Sequence, residues 1–571
     1  MLKRQLPFPA WVPHVAAAVF LIPVGMGLVG IAIPAFGVLP VFGYSDWSLV
    51  PLAQMLDQPG LGRAVLLSIW TGLSSTALAL FAAIFLLCGL PLRRAQKRLI
   101  AMLPWLATPH VSIAFGFAFL IAPSGWLARL LLCGFGSVDI PPNIITVRDP
   151  FGLSLIAGLA LKETAFLVMV LVATLTRFDV DQRLSVAQML GYRRQQAWLC
   201  VILPEAYGCI RLPLFAVLAY GIGNVDMALV LAPQTPPPLA VLVLRLLMHP
   251  DLSWQLTAAA GAILQIIVVG LGFLVWLCIE RLIRTAARRW MLSGPAPHSK
   301  TRHQNDAGLC VFQGILLSIL VVLFLWSVSL SWFFPNIFPS RLTTQTWENM
   351  TPTLLQSGAM TLLLAAVSAG VAVILVLMSL EIERLRPSAV GQILRKLCYI
   401  PLVVPQIAFL YGFQILLVTL RIDGTFGAVI WAHLIFVVPY VFLSLADPYM
   451  ALDQRYNAVA ASLGVSPWRR WWSITLPLLK HPIGTAFALG MVVSMAQYLT
   501  TVFAGSGRIQ TLGTEALALA SGGNRRVVGV LGLTLAILPM LVFTGVLGLT
   551  YFARLTEWSK AIFPRSVENN L

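Results

Sequence analysis

The sequence predicts an all-α polytopic membrane protein with about twelve transmembrane helices in two parallel six-helix halves. Three observations carry this. Of 571 residues, 59% are hydrophobic and 10% charged, against ~45–50% and ~25% in an ordinary soluble domain, which excludes a soluble enzyme. Mean hydropathy is +0.87, and apolar runs recur at the ~20-residue length that a helix needs to cross ~30 Å of hydrocarbon. Finally, two segments of the chain align without gaps at an offset of 273 residues.

Lys3 and Arg4 precede an apolar stretch from Trp11 to about Pro40. It is too long for the ~7–15-residue core of a signal peptide, so it is read as a retained first helix. Spans follow at 11–38, 63–88, 98–122, 152–175, 205–232 and 256–280, and a second six at 308–334, 355–380, 398–420, 424–446, 481–504 and 527–552. Between the sets, Arg284, Arg288 and Arg289 lead into a Gly/Pro/Ser-containing polar run from Ser293 to Asp306, which is linker composition. The expected organisation is an N-terminal half at 1–285, a linker at 286–307 and a C-terminal half at 308–571.

The net charge of +17 would suggest nucleic acid in a soluble protein, but in a membrane protein basic residues mark cytoplasmic loops. Clusters at Arg93/Arg94/Lys97/Arg98, Arg193/Arg194, Arg281/Arg284/Arg288/Arg289, Arg384/Arg386/Arg395/Lys396 and Arg469/Arg470 alternate with scattered arginines at 63, 129, 148, 245, 341, 421, 508, 525 and 526. Assigning the clusters to the inside places both termini in the cytoplasm. Of the seven cysteines, only Cys133 is expected on the outer side, so no disulfide framework is expected. Trp468, Trp471 and Trp472 beside Arg469 and Arg470 read as an interfacial aromatic belt with basic anchors.

In the repeat, Ser185, Val186, Ala187, Gln188, Met189, Leu190 and Gly191 precede, by nine residues, Val201, Ile202, Leu203 and Pro204. Ala458, Val459, Ala460, Ala461, Ser462, Leu463 and Gly464 stand at the same distance from Ile474, Thr475, Leu476 and Pro477. Leu239 meets Leu512 at this offset, and a looser match pairs Leu103, Pro104, Pro109 and Gly116 with Ile400, Pro401, Pro405 and Gly412. Each copy lies in a basic segment between the fourth and fifth spans of its half. The residues before the glycine suit a short helix that the glycine ends in a left-handed conformation, and the proline suits the first turn of the next helix. One such segment reads as an ordinary capped surface helix. Two in equivalent places read as a twofold docking element for a twofold partner.

The pattern resembles the EAA loop of permease subunits of bacterial ATP-binding-cassette (ABC) importers, and two copies in one chain resemble the fused permeases of the ferric-iron and thiamine import group. His433 to Tyr440 and Arg508 to Glu515 support the likeness. Both copies lack the glutamate that names the motif, since Ser185 and Ala458 occupy its place. The resemblance implies a type I importer fold and a transport component of the bacterial inner membrane, with alternating access driven by a separate cytoplasmic ABC ATPase dimer. A periplasmic substrate-binding protein would deliver a small solute. It also implies ATPase docking at Ser185, Ala187, Leu190, Gly191, Leu203, Pro204, Ala458, Ala460, Leu463, Gly464, Leu476 and Pro477. The alternative is an ion-gradient-driven secondary transporter of six-plus-six architecture.

No Gly-Lys dipeptide exists to form a phosphate-binding loop, and the seven histidines show no metal-ligand spacing. Catalysis, a cofactor and a metal are therefore not expected. Ionisable residues inside spans are costly and become candidates for function. Lys162 and Glu163 interrupt the fourth span. Asn224 and Asp226 fall on the fifth, and Gln497, Thr500 and Thr501 on the eleventh, Asn224 mapping to Gln497 at the 273 offset. These five are candidates for the translocation path, or they make interhelical hydrogen bonds. The stretch Leu512 to Ala520, flanked by glycines, is a candidate outer helix that meets the binding protein.

Overall fold

Hydrocarbon offers no water to backbone N–H and C=O groups, so each long apolar run must close its own hydrogen bonds as a helix. The computed structural model describes residues 7–132, 140–291, 294, 304–386 and 394–562, the side chains of 304–305 and 549–562 excepted. Cys133 and linker residues 292–293 and 295–303 lie outside the described residues.

The first half comprises α1 (Val12–Ala35), α2 (Leu61–Leu87), α3 (Leu92–Ala107), α4 (His110–Ile121), α5 (Leu153–Leu175), α6 (Val180–Met189), α7 (Leu203–Gly223), α8 (Leu239–Leu247) and α9 (Trp254–Met291). The second comprises α10 (Gln304–Ser327), α11 (Gln345–Leu385), α12 (Gln406–Thr419), α13 (Phe426–Met450), α14 (Gln454–Ser462), α15 (Lys480–Met495), α16 (Tyr498–Gly505), α17 (Leu512–Ala520) and α18 (Arg525–Ile562). Shorter helices, among them Val50–Leu56 and Trp126–Leu132, are unlabelled. After α10, Ser329–Ser331 pairs with Arg341–Leu342 in a small antiparallel hairpin. Among the described residues, ten helices are long and apolar enough to cross a membrane. Two bent pairs, Leu394–Val403 with α12 at 99° and Pro467–Leu478 with α15 at 76°, complete the expected twelve when each counts as one crossing.

The third span of each half breaks at a proline. Thr108 and Val404 are extended, with ψ 126° and 130°, because the ring of Pro109 or Pro405 disfavours helix in the residue before it. Beyond each break lies the glycine of the looser sequence match, and its purpose is close packing across the halves. A Cβ on Gly412 would overlap the backbone of α1 at Gly27 and Gly30, and one on Gly116 would strike Ile319 of α10. Each half thus lays its first helix on the broken third span of the other, and the largest buried apolar cluster contains residues of both. A second repeated contact fixes the short helices: the Leu239 N–H donates to Ser68 Oγ at 2.8 Å and the Leu512 N–H to Thr361 Oγ1 at 2.9 Å.

One expectation needs correction. The spans read at 205–232 and 481–504 are not continuous helices. α7 stops at Gly223 and a four-residue helix resumes at Ala228, while α15 stops at Met495 and α16 begins at Tyr498. Asn224 and Gln497 are both extended, with ψ 131° and 93°, so they sit at breaks rather than on helix faces.

Candidate docking loops and translocation path

The two loops repeat to the level of single hydrogen bonds. Gly191 (φ +88°) and Gly464 (φ +74°) are left-handed. Their N–H groups donate to Gln188 O and Ala461 O, and those of Tyr192 and Val465 donate to Ala187 O and Ala460 O, all at 3.0–3.1 Å. This double closure satisfies carbonyls that a helix end leaves unpaired. Beyond it, Trp198–Ile202 and Trp471–Thr475 form equivalent wide π-turns. In a regular α-helix the rings of Pro204 and Pro477 would clash with carbonyls one turn back, and the wide turn relieves that clash. Trp198 and Trp471 are buried beneath these turns.

Exposure separates the residues of each loop. Val186 (53%), Leu190 (68%), Val459 (60%) and Leu463 (76%) present apolar side chains to solvent. Each i, i+4 pair shares one face of its helix, and the pairs are equivalent at the 273 offset. Ser185, Gly191, Pro204, Ala458, Gly464 and Pro477 are exposed, and Leu203 and Leu476 half-buried. Ala187 and Ala460 are buried within the chain itself, so, against the docking expectation, these small side chains serve internal packing. The sequence reading did not assign Val186 and Val459. Their signal was present in the i, i+4 spacing from Leu190 and Leu463.

The second loop is also tied to the bundle by a buried polar chain. Glu381 pairs with Arg384 at 2.8 Å within α11; the Tyr449 hydroxyl donates to Glu381 Oε2 at 2.7 Å and Trp471 Nε1 donates to the Tyr449 oxygen at 3.1 Å. In the first half, Arg194 Nε donates to Gly89 O at 2.7 Å instead.

Lys162 and Glu163 bracket the break in the third span. Lys162 Nζ donates to Trp105 O and Leu106 O, both at 2.9 Å, at the end of α3. Glu163 Oε1 lies 2.9 Å from Nε2 of His110, the first residue of α4. A cation thus meets a helix C-terminus and an anion a helix N-terminus, each the sign that the helix dipole favours, and the lysine supplies donors to carbonyls left orphaned by the break.

At the fifth-span break, Asn224 Oδ1 accepts from the N–H groups of Met227 and Ala228 at 3.0 and 3.2 Å, capping the helix that resumes there. Gln497 makes no such cap: Thr500 donates to its side-chain oxygen and Thr501 to its backbone carbonyl. His433 bridges Ser494 at 2.7 Å and Thr501 at 3.0 Å. Asp226 is buried, with Oδ1 unpartnered.

Between the halves lies a cavity of about 1070 Å³. Leu229, Gln234, Leu244, Arg245 and Met248 line it from one side, and their 273-offset equivalents Val502, Gly507, Leu517, Ala518 and Ser521 line it from the other. A space bounded by equivalent residues of two duplicated halves lies between corresponding walls of the pseudo-dimer. Of the five path candidates, only Thr501 lines it, together with Tyr498; Asn224, Asp226, Gln497 and Thr500 do not.

Duplicated loops, exchanged first helices and a cavity between equivalent walls describe a two-half, duplicated helical membrane protein. Residues 376–555 match the family described as binding-protein-dependent transport system inner membrane component. The chain is 28% identical over 551 residues to the inner membrane ABC transporter permease protein YnjC of Escherichia coli K12, covering 95% of this chain and 96% of that one. It is 25% identical over 532 residues to the thiamine transport system permease protein ThiP of the same organism, covering 89% and 91%. Over 156 residues it is 34% identical to the molybdenum transport system permease protein ModB of Mycobacterium tuberculosis, covering 25% and 59%. Most of the second half thus matches the inner membrane component of binding-protein-dependent transport systems, and nearly the whole chain is similar to ABC transporter permeases, which are membrane transport components.

Proposed function

We propose that this chain alone forms the whole membrane path of its importer, with halves at 1–285 and 308–571 joined by a linker at 286–307. Both termini and both loops face the cytoplasm. α6 and α14 seat in grooves of a separate ABC ATPase dimer through Val186 with Leu190 and Val459 with Leu463, while Gly191 and Gly464 set the angle at which the chain leaves each helix. A periplasmic binding protein delivers the solute to the opposite face, where α8 and α17 lie. ATP-driven closure of the ATPase draws the two loops together and swings the halves as rigid bodies.

The observation that carries this reading is the pair of equivalent exposed apolar faces. An apolar i, i+4 pair in water has no stabilising role in the isolated chain, and its duplication fits a dimeric partner. The relatives' names favour an ATP-driven importer over an ion-gradient-driven transporter. The test is to replace Gly464 or Gly191 by glutamate and measure co-purification of the ATPase with a permease that still inserts. Loss of the ATPase is expected, and undiminished co-purification overturns the docking assignment.

A further inference from the structure

Besides its paired walls, the cavity between the halves carries an unbalanced charge. Arg148, Arg245 and Arg525 line it, against Glu515 as the acidic residue. Some arginines elsewhere are neutralised by carboxylates: Arg177 and Arg395 flank Asp447 at 2.8 and 2.9 Å, and Arg211 meets Glu280 at 2.7 Å. In the cavity the arginines are held by neutral acceptors. Arg148 Nε donates to Val230 O at 3.3 Å, Arg245 Nη1 to Gln234 O at 2.9 Å, and Arg525 Nη1 to Ser124 Oγ at 3.2 Å. The Arg525 guanidinium also lies 5.2 Å from the centre of the Trp326 ring. Among the described residues none of the three forms an ion pair. Neutral acceptors orient a guanidinium without cancelling its charge, and low-dielectric walls focus the field into the space between them.

We propose that this cavity is the outer vestibule of the translocation path and that it selects a small solute carrying negative charge. The inference rests on the importer reading above and adds the charge class of the cargo. Arg245 is the clearest sign of a built feature. Its equivalent in the second half is Ala518, so duplication alone did not supply the charge. Burial first, and the neighbouring Arg148 second, push its pKa down. Two cations held together without a counter-ion are unfavourable until an anion enters, and an anion placed between them relieves that repulsion. Thr501 and Tyr498, which also line the cavity, add hydroxyls able to donate to the same solute.

The test measures local potential and needs neither the solute nor the binding protein. In the full-length chain with its seven native cysteines replaced, Ala518→Cys reports from the cavity wall. Ser340→Cys reports from the exposed hairpin beside Arg341 and serves as control. Right-side-out vesicles at low salt receive either an anionic (sulfonatoethyl) or a cationic (trimethylammonioethyl) methanethiosulfonate. The ratio of anionic to cationic reaction rate at residue 518 is expected to exceed that at 340 by about tenfold or more. Arg148→Gln with Arg245→Gln should bring it to within about twofold of the control, the unchanged rate at 340 showing that the variant is folded. A ratio at 518 equal to or below the control, or one that the double substitution leaves unmoved, overturns the charge selection. Reaction at 518 in inside-out vesicles alone, treated in parallel, overturns the orientation instead, so the two failures are distinguishable.

Discussion

Truncating Leu190 and Leu463 to alanine, singly and together, tests the docking assignment quantitatively. Fully burying a leucine side chain contributes ~1.5–3 kcal/mol, and these two have 68% and 76% of their surface still to bury. Each truncation should therefore remove about 1–2 kcal/mol of ATPase binding, or roughly 5–30-fold in affinity at ~1.4 kcal/mol per tenfold. The residues sit on separate loops, so their losses should add, giving about 2–4 kcal/mol and a decrease of roughly 30- to 1000-fold for the double variant. The assay titrates the ATPase that co-purifies from the native host onto immobilised permease in nanodiscs. Leu282→Ala on α9, an equally exposed position at 71% but outside both loops, should change affinity by less than about threefold. A double variant that binds as tightly as Leu282→Ala would falsify the reasoning.

Four further outcomes follow from the same geometry. Gly464→Ala should weaken ATPase binding by about fivefold, since the left-handed φ costs an L-residue ~1–2 kcal/mol while no atom lies within 4 Å of the new Cβ; Gly464→Asn should retain most of the affinity. Lys162→Met should destabilise the chain by ~1–3 kcal/mol by leaving Trp105 O and Leu106 O without donors, read as a lowered Tm, and an unchanged Tm would argue against that role. Gly412→Leu should prevent α1 from seating on α12 and yield a protease-sensitive chain, whereas Gly427→Leu, which has open space around it, should not. A double-mutant cycle of Glu381→Gln and Tyr449→Phe should show coupling of ~0.5–3 kcal/mol in thermal stability, because the two share one buried hydrogen bond.

Much of this architecture is legible in the sequence because hydrocarbon enforces it. Apolar runs long enough to cross a bilayer have few alternatives to helix, and the spacing from glycine to Leu-Pro follows from helix closure, a wide turn and a proline-led restart. What stayed hidden has physical causes too. The breaks at Asn224 and Gln497 carry no proline and are flanked by apolar residues on both sides, so periodicity reads through them. Their signal is the pairing of two amides at the 273 offset, which reads either as a solute contact or as interhelical hydrogen bonding and does not by itself indicate a break. The inward turn of Ala187 and Ala460 depends on which helix face meets the bundle, and a short helix of small residues does not specify that. Arg148, Arg245 and Arg525 were read as scattered outer charges because they lie far apart in the chain, and only the meeting of the halves brings them to one cavity. Gly116 and Gly412 were matched in sequence, but their partners are first helices from the opposite half, a contact that no local pattern encodes.

The central claim is that the two loops are a matched pair of cytoplasmic contacts for an ATPase made by another chain. Leu190→Cys and Leu463→Cys, each in a cysteine-free background, can be treated with a membrane-impermeant maleimide in inside-out and right-side-out vesicles, with and without the ATPase. Both thiols should react in inside-out vesicles alone, and both should be shielded when the ATPase is bound. Labelling of either thiol from the outside, or labelling that the bound ATPase leaves untouched, contradicts the account.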